Sequence, residues 1–254
     1  MGGMQYARRY RQAYAVLHEF ASEPKLHGSR SRSKRCSLSE AILTISSKNY
    51  SSWSLRGWLM TRFSGLPFEE KVISPDDPAM RAELLLLSSS FLVPNLTHNG
   101  LKIWDTLAIG EYLHEIKPEA HLLPSDLERR TRCRSISGEM HSGFGPMRSA
   151  LPMNLKGDFP NFKVWARAQA DIDRVTEIWR EHLDLYGGPY LLGERSMADA
   201  MYAPVVTRLL TYHVKIDPKS EAYCSAIMAM PELQEWIEAA KAEPEDMEEL
   251  EVEF

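Results

Sequence analysis

Cysteine is scarce in this chain, and long apolar runs are missing. The 254 residues include three cysteines, Cys36, Cys133 and Cys224, which stand far apart. An odd number of widely spaced cysteines offers no metal-ligand spacing and is typical of proteins from a reducing compartment. No apolar stretch approaches the ~20 residues that a membrane-spanning helix needs. The sequence therefore predicts no membrane span and no metal site, and we expect a cytoplasmic location.

An excess of positive charge is lacking as well. The chain has 30 Lys and Arg against 35 Asp and Glu, a formal net charge of −5. Nucleic-acid binding usually requires a basic surface, so no nucleic-acid partner is expected. The length allows one large domain or two small ones, each with its own core.

The charges are unevenly distributed at the two ends of the chain. Residues 1–39 contain eight Lys or Arg and only two acids, while residues 244–254 are mostly acidic. Two interpretations of segment 1–40 stay open, a basic organelle-targeting peptide and a disordered extension. The acidic tail at 244–254 is typical of a solvated, mobile terminus.

The first half of the remaining chain alternates strand and helix patterns. Short β-rich runs, turn signals such as Asn99-Gly100, and apolar residues at helical spacing define the elements. The predicted elements are a strand at 41–46, a helix from Ser52, a strand at 69–74, a helix from Asp77, strands at 95–98 and 101–104, and a helix from 106. The order β-α-β-α-β-β-α is that of a thioredoxin-like domain, which we place at 41–117.

The second half shows no further strand pattern. Proline and glycine punctuate a series of helical stretches that follow a predicted linker at 118–125. The predicted helices cover 126–150, 160–186, 197–214, 218–229 and 231–242. The fold class is therefore α/β plus all-α, with an all-helical domain at 126–243. Trp165, Trp179 and Tyr186 lie at helical spacing, and we expect all three in the core.

Val93-Pro94 stands at the entry of a predicted strand. Proline is tolerated at the first residue of a strand, and X-Pro bonds adopt the cis form at modest cost. A cis bond would turn the backbone N–H and C=O of Val93 outward, where they could pair with a bound peptide as an added strand does. A trans proline at a strand entry is the alternative.

Asp105-Thr106 opens the following helix. A helix N-terminus has free N–H groups and a partial positive charge, so Thr106 could bind a carboxylate while Asp105 pairs with an ammonium. Side by side, they suit an α-amino-carboxylate group. The alternative is an ordinary helix N-cap, which stabilises by ~1 kcal/mol.

The run VPNLTHNGLKIWDTLAIGEYL resembles the signature V-P-x-L…(E/D)-(S/T)-x-A-I-x-x-Y-L of cytosolic glutathione S-transferases. The resemblance implies a thioredoxin-like domain followed by an all-helical domain, with glutathione as co-substrate and usually a homodimer. It also implies a cis Val93-Pro94 bond, backbone pairing of Val93 with the cysteinyl part of glutathione, and binding of the γ-glutamyl end by Asp105 and Thr106.

Two further stretches resemble the same family. LGERSMADAMYAPVVTRL matches its G-x-x-x-(S/T)-x-A-D-x-x-x-x-P segment, in which Ser196 and Asp199 have the spacing of a capping box. NYSSWSLRGWL is similar to the catalytic S-S-C-S-W-R-V-R-I-A-L stretch of the zeta class. The serines are out of step, so several candidates for thiol activation stay open. Ser51 is favoured, Ser52 comes second, and Asn49 and Tyr50 remain; both serines could instead only cap the helix.

The chemistry that this resemblance implies depends on thiol acidity. A free thiol has a pKa of ~8.5, and the thiolate is the nucleophile. Lowering that pKa by two units requires ~2.7 kcal/mol, which a charge-assisted hydrogen bond of ~1.5–3 kcal/mol and a helix N-terminus can supply. A serine at the start of a helix is therefore sufficient, without a metal ion.

A pocket for the electrophile is predicted between the two halves. Segment 139–154, EMHSGFGPMRSALPMN, mixes apolar surface with polar tips, as small-molecule sites do. His141, Phe144 and Arg148 are the candidates, and His141 and Arg148 could orient an anionic substrate. Phe91-Leu92 departs from the Gly-Lys or Gly-Gln that many family members carry before the proline, so one polar contact to glutathione could be missing.

Three functions are compatible with these residues. The leading hypothesis is a glutathione transferase of the detoxification type, which joins the thiolate to a small hydrophobic or anionic electrophile. The second is a zeta-like isomerase of a maleyl-type diacid, in which glutathione is regenerated. The third is a glutathione-transferase-like binding or scaffold protein without catalysis.

Overall fold

The computed structural model describes residues 41–73 and 93–244. The predicted helix from Asp77, the Phe91-Leu92 pair, segment 1–40 and the tail beyond 244 lie outside these residues. The described elements are β1 (Ala41–Ile45), α1 (Ser52–Ser64), β2 (Glu69–Val72), β3 (Asn95–His98), β4 (Leu101–Trp104), α2 (Thr106–Ile116), a 3-10 turn (Pro118–Ala120), α3 (Leu127–Ser142), α4 (Gly145–Ala150), α5 (Ala166–Tyr186), α6 (Met197–Thr211), α7 (Pro218–Met228) and α8 (Pro231–Ala242).

The four described strands form one mixed sheet in the order β2-β1-β3-β4. β1 pairs in parallel with β2 and antiparallel with β3, and β3 and β4 form the hairpin predicted around Asn99-Gly100. Leu43 and Ile45 are fully buried because β1 is a central strand with neighbours on both edges. The predicted thioredoxin-like sheet followed by a helical half is confirmed.

Helix α1 occupies the centre of the molecule. Ser51 is its N-cap, and Gly65 ends it with a φ of 69°, a left-handed conformation that glycine adopts without strain. Eleven of its 13 residues are buried, because the helix packs on the sheet, on α2 and on α6. The residue that begins α1 is therefore held between the sheet and the helical half.

A glycine lets the strand entry lie against α1. A Cβ atom added at Gly57 would lie 2.5 Å from Cγ and 2.7 Å from Cβ of Pro94, which is shorter than side chains tolerate. Pro94 is itself buried and directly precedes β3. Gly57 thus fixes how closely Val93-Pro94 approaches the helix that Ser51 begins.

Two predicted helices differ from the observed ones. The stretch 126–150 is interrupted after Ser142, because Phe144 adopts a left-handed conformation with a φ of 60° and α4 then starts at Gly145. The stretch 160–186 becomes helical only at Ala166. The prediction of core positions was wrong for Trp165, which precedes α5 and is 53% exposed, whereas Trp179 is fully buried and Tyr186 packs at the edge of the core.

The predicted capping box at the start of α6 is confirmed. The Asp199 carboxylate accepts hydrogen bonds from the backbone N–H and the hydroxyl of Ser196 at 2.8 and 3.1 Å. It also accepts from the Leu191 N–H and the Tyr223 hydroxyl, both at 3.2 Å. Complete burial raises the pKa of Asp199 to about 6, against the opposing effect of these donors.

Candidate functional site

The favoured thiol-activating residue, Ser51, lies at the start of α1 and is partly exposed. Its Oγ accepts a hydrogen bond from the Ser54 N–H at 3.2 Å and lies 2.9 Å from the Ser54 Oγ. Ser52 is only 7% exposed, so a ligand reaches it less easily than Ser51. Ser54 was missed by sequence reasoning, although it stands one helical turn after Ser51 and orients that hydroxyl.

Asn49, an alternative to Ser51, is already engaged in binding the helical half. It is 2% exposed, and its Oδ1 accepts from the N–H groups of Leu155 and Lys156 at 2.7 and 3.1 Å. Its Nδ2 donates to Oδ1 of Asn154 at 3.1 Å. These contacts leave the side chain of Asn49 poorly placed to activate a thiol. Tyr50 is partly exposed and stays an alternative.

The Val93-Pro94 peptide bond is cis, as the family resemblance implies. The proline is buried and packs on Gly57, while Val93 stays partly exposed. The strand-entry residue that was predicted to pair with a peptide therefore lies beside the helix that starts with Ser51.

Asp105 caps a helix with one carboxylate oxygen and leaves the other oxygen for a different contact. One oxygen, Oδ1, caps α2 by accepting from the N–H groups of Leu107 and Ala108 at 2.8 and 3.4 Å. The other oxygen, Oδ2, lies 3.1 Å from Nε2 of His141, and the side chain is 40% exposed. Thr106 is nearly buried, and its Oγ1 lies 3.5 Å from Nδ1 of the same histidine. His141 therefore joins the helical half to the predicted glutathione-binding residues.

Trp53 connects this histidine to a group of arginines. Its ring packs edge-on against His141 with centroids 5.0 Å apart. The guanidinium carbons of Arg56 and Arg148 lie 4.6 and 5.1 Å from the Trp53 ring, a distance at which cations are attracted to indole. Two of the predicted pocket residues, His141 and Arg148, thus meet on Trp53. The third, Phe144, is 7% exposed and packs in the hydrophobic core, and its place in the pocket stays a prediction.

Arg56 and a further arginine, Arg208, are buried behind this surface. Arg56 donates from Nε to the Met201 carbonyl at 2.9 Å, but its two terminal nitrogens are buried without a hydrogen-bond partner. Arg208 donates to the Pro204 carbonyl, and its Nε is buried and unpartnered. Within residues 41–73 and 93–244, no carboxylate forms an ion pair with Arg56, Arg148 or Arg208.

The electrostatic consequence appears in the pKa values of these groups. Burial, and then the charges of Arg208 and Arg148, hold the pKa of Arg56 well below its usual value. Burial and the charge of Arg148 lower the pKa of Arg208 to about 10. A cluster of cations without a counter-charge creates a positive potential that favours an anion at its open side, where Arg148 is partly exposed. Sequence reasoning placed Arg56 in step with the zeta-class stretch but assigned no role to Arg56 or Arg208, because only the fold brings α1, α4 and α6 together.

Two absences hold for the part of the chain that the structure describes. No group of three or more His, Cys, Asp or Glu side chains there could hold a metal ion. None of the described helices has both the length and the apolar character needed to cross a membrane.

Sequence profiles of two families match the chain. The profile described as "Glutathione S-transferase, N-terminal domain" matches residues 50–116, and "Glutathione S-transferase, C-terminal domain" matches residues 148–239. Maleylacetoacetate isomerase of Rattus norvegicus is 30% identical over 171 residues, which are 66% of this chain and 77% of the rat protein. Glutathione S-transferase 1 of Dianthus caryophyllus is 27% identical over 163 residues, which are 63% of this chain and 73% of the carnation protein.

Solved structures show the same fold. A glutathione transferase homologue from Burkholderia gl BGR1, crystallised with bound glutathione, has a TM-score of 0.61 and 22% identity, and the match covers 80% of this chain and 98% of that one. Glutathione transferase Omega 2S from Trametes versicolor, in complex with 2,4-dihydroxybenzophenone, has a TM-score of 0.62 at 19% identity, and the match covers 82% and 100% of the two chains. From the profiles, the rat relative and the fold together, the chain belongs to the glutathione S-transferase superfamily.

Proposed function

We propose that the protein is a glutathione transferase, which activates the glutathione thiol beside Ser51 and directs it at a small electrophile. The observation that carries this proposal is that His141 links the first turn of α1 to the N-terminus of α2: Trp53 packs on His141, which lies 3.1 Å from Asp105. The partly exposed Ser51 caps α1, and Asp105 caps α2. Both helix N-termini present free backbone N–H groups and a partial positive charge, which favour anions. A tripeptide with a thiolate at its centre and a carboxylate at its γ-glutamyl end is complementary to this pair.

The peptide's main chain and head group would bind as follows. The backbone of Val93 pairs with the cysteinyl residue in the manner of an added strand. The γ-glutamyl carboxylate binds to Thr106, and its ammonium binds to the Oδ2 oxygen of Asp105, the one that does not cap α2. His141 holds the Asp105 carboxylate from the opposite half of the molecule.

Thiol activation is assigned to the Ser51 hydroxyl, which contacts the Ser54 hydroxyl. The Ser51 Oγ accepts a hydrogen bond from the Ser54 N–H, and its own O–H donates to the Ser54 Oγ. A hydroxyl hydrogen rotates about its C–O bond, so on glutathione binding the Ser51 O–H would turn from Ser54 to donate to the sulfur. This hydrogen bond and the N-terminus of α1 stabilise S⁻ over S–H. The sulfur then forms a bond to an electrophilic carbon, and the leaving group departs with the bonding electron pair.

A second candidate is an isomerase of a maleyl-type acid. The arginine cluster around Trp53 favours it, because Arg148 offers a cation to a substrate carboxylate, and the relatives near 30% identity include maleylacetoacetate isomerases. In this reaction the thiolate adds to one carbon of the cis double bond, the new C–C single bond rotates, and the thiolate leaves again. Glutathione is regenerated and the product is the trans isomer.

Three measurements on the purified protein test these candidates together. Glutathione should raise the unfolding temperature, since a ligand at a hundredfold excess over Kd stabilises by ~2.7 kcal/mol. Turnover of a chloronitroaromatic with loss of free thiol supports the transferase. Isomerisation of maleylacetone with no loss of thiol supports the isomerase instead. A protein that glutathione does not stabilise and that turns over neither compound contradicts both and leaves the non-catalytic binding protein.

The charge of the substrate can be tested at Arg148. Arg148→Met keeps the length of the side chain but removes the cation above Trp53. We expect kcat/KM for maleylacetone to fall at least about tenfold, the loss of one charge-assisted hydrogen bond, while turnover of the neutral chloronitroaromatic changes little. Arg134→Met is the control, because Arg134 pairs with Glu111 on an exposed surface. Equal losses with both substrates would contradict a specific role for Arg148 with acids.

The predicted homodimer, cytoplasmic location and detoxification role stay predictions.

A further inference from the structure

The loop that leads to Ser51 is held by a residue from the far end of the described chain. Residues 47–50 form the turn between β1 and α1, and the Ser51 N–H donates to the Ser47 carbonyl at 3.0 Å. The position of Ser51 is therefore tied to the conformation of this turn.

Glu243, which directly follows α8, accepts three hydrogen bonds from the turn. Its Oε1 accepts from the Lys48 N–H at 2.7 Å. Its Oε2 accepts from the Ser47 hydroxyl at 2.8 Å and from the Asn49 N–H at 3.1 Å. One carboxylate thus binds donors from three consecutive residues that precede it by 194 to 196 positions. Such charge-assisted bonds are stronger than bonds between neutral groups.

The same loop has two other attachments that do not depend on the Glu243 carboxylate. Trp236 of α8 donates from Nε1 to the Lys48 carbonyl at 2.8 Å. The Asn49 side chain binds the 154–156 segment. That segment also holds the backbone of Glu243, because Lys156 Nζ donates to the Glu243 carbonyl at 2.7 Å. Loss of the carboxylate would therefore leave α8 docked, and its effect would be confined to the turn.

We propose that Glu243 is a positioning residue for thiol activation, which fixes the 47–49 turn and through it the Ser51 hydroxyl. The inference deepens the proposed function and rests on it, since Ser51 matters only if a thiol is activated there. Displacements of about 1 Å at a reacting group can cost about a hundredfold in rate. A carboxylate that binds two N–H groups and one hydroxyl of the turn restricts such displacements.

Two effects of Glu243 on the thiol have opposite signs, and this makes the proposal testable. A negative charge near the site disfavours a thiolate, so removal of that charge alone would lower the pKa of the bound thiol. Loss of positioning would weaken the Ser51 hydrogen bond and raise this pKa. The direction of the change therefore separates positioning from simple electrostatics.

The experiment compares Glu243→Gln with the parent protein. Glutamine has one amide oxygen and presents an NH₂ group to the turn's donors, so it cannot satisfy all three. We expect the thiol pKa of bound glutathione, measured by thiolate absorbance, to rise by about one unit. We expect kcat/KM for the chloronitroaromatic to fall about tenfold or more. The backbone amides of Lys48 and Asn49 should exchange hydrogen faster. Glu235→Gln is the matched control. It also removes one negative charge, but Glu235 lies within α8 and pairs with Arg62.

Other outcomes contradict the proposal. An unchanged or lowered pKa of the bound thiol in folded Glu243→Gln would contradict the positioning role of Glu243. Unchanged hydrogen exchange at the Lys48 and Asn49 amides, measured without glutathione, would contradict it as well. If Glu243→Gln does not fold, Ser47→Ala removes one of the three donors and should show a smaller change in the same direction; no change there also overturns the proposal. Failure of the parent to bind glutathione is a separate result, which removes the proposed function itself.

Discussion

Nε2 of His141 lies 3.1 Å from Oδ2 of Asp105, and this contact joins the helical half of the protein to the N-terminus of α2. The carboxylate of Asp105 therefore has two tasks on its two oxygens, since Oδ1 caps the helix. The oxygen that faces His141 is the one to which the proposed function assigns the ammonium of glutathione.

Asp105→Asn separates the cap from ligand binding. Asparagine caps helices about as well as aspartate, so we expect the free energy of unfolding to change by less than about 1 kcal/mol. The negative charge is lost, however, and Kd for glutathione should rise at least tenfold, as expected for a charged hydrogen bond of ~1.5–3 kcal/mol. Calorimetric titration and thermal unfolding measure the two effects. An unchanged Kd would show that Asp105 acts only as an N-cap.

Ser51→Ala tests the thiol-activating residue. The variant loses the hydroxyl that lies 2.9 Å from the Ser54 Oγ, and kcat should fall roughly ten- to hundredfold because the thiol pKa rises by one to two units. Stability should fall by only ~1 kcal/mol, the contribution of an N-cap. The control is Ser52→Ala, whose activity should stay near that of the parent. If Ser52→Ala or Tyr50→Phe causes the larger loss of activity, the assignment of Ser51 is wrong.

Gly57→Ala tests the close approach of Pro94 to α1. The added Cβ would lie 2.5 Å from the Pro94 ring, so the strand entry must move. We expect a loss of ~1–3 kcal/mol in stability, as for overpacked cores, and a higher Kd for glutathione because Val93 shifts with the proline. Gly138→Ala is the control: it lies within α3 with open space around the new Cβ, and should gain up to ~1 kcal/mol. Parent-like glutathione binding in folded Gly57→Ala would contradict the placement of Val93.

The buried Asp199 predicts a pH dependence of stability. Its pKa is raised to about 6 in the folded protein and is ~3.9 in an unfolded chain. Between these pH values the folded state binds more protons, so stability should fall as pH rises from ~4 to ~6. The contribution is roughly 2–3 kcal/mol. Denaturant unfolding across this range should show the fall in the parent, and Asp199→Asn should show it much less. Parallel curves for the two proteins would assign the titration to another group.

Much of the fold follows from local patterns in the sequence. The hairpin at Asn99-Gly100, the Ser196-Asp199 capping box and the start of α1 depend on residues near one another in the chain, and all three are observed. Trp165 was misplaced because helical spacing gives a position on a helix face, whereas the helix begins only after it. The break at Phe144 lies between Gly143, which ends α3, and Pro146 in the first turn of α4, a local breaker signal that the prediction of one helix over 126–150 did not use.

The site is only partly accessible to the same reasoning. Residues with a recognisable motif, such as Asp105 and Thr106, could be named in advance. Trp53 and Arg56 are in step with the zeta-class stretch, but the sequence assigned no role to them or to Arg208, because their contacts form only when α1 and α6 pack together. Glu243 was read as part of the end of the helical half, and only the folded chain brings it to the turn before Ser51.

The near-complete enclosure of α1 has an evolutionary consequence. Eleven of its 13 residues are buried, so most replacements along this helix would damage folding before they altered chemistry. Arg148, by contrast, is partly exposed on the short helix α4. Selection for new electrophiles would therefore accumulate changes around α4 while the helix headed by Ser51 is conserved.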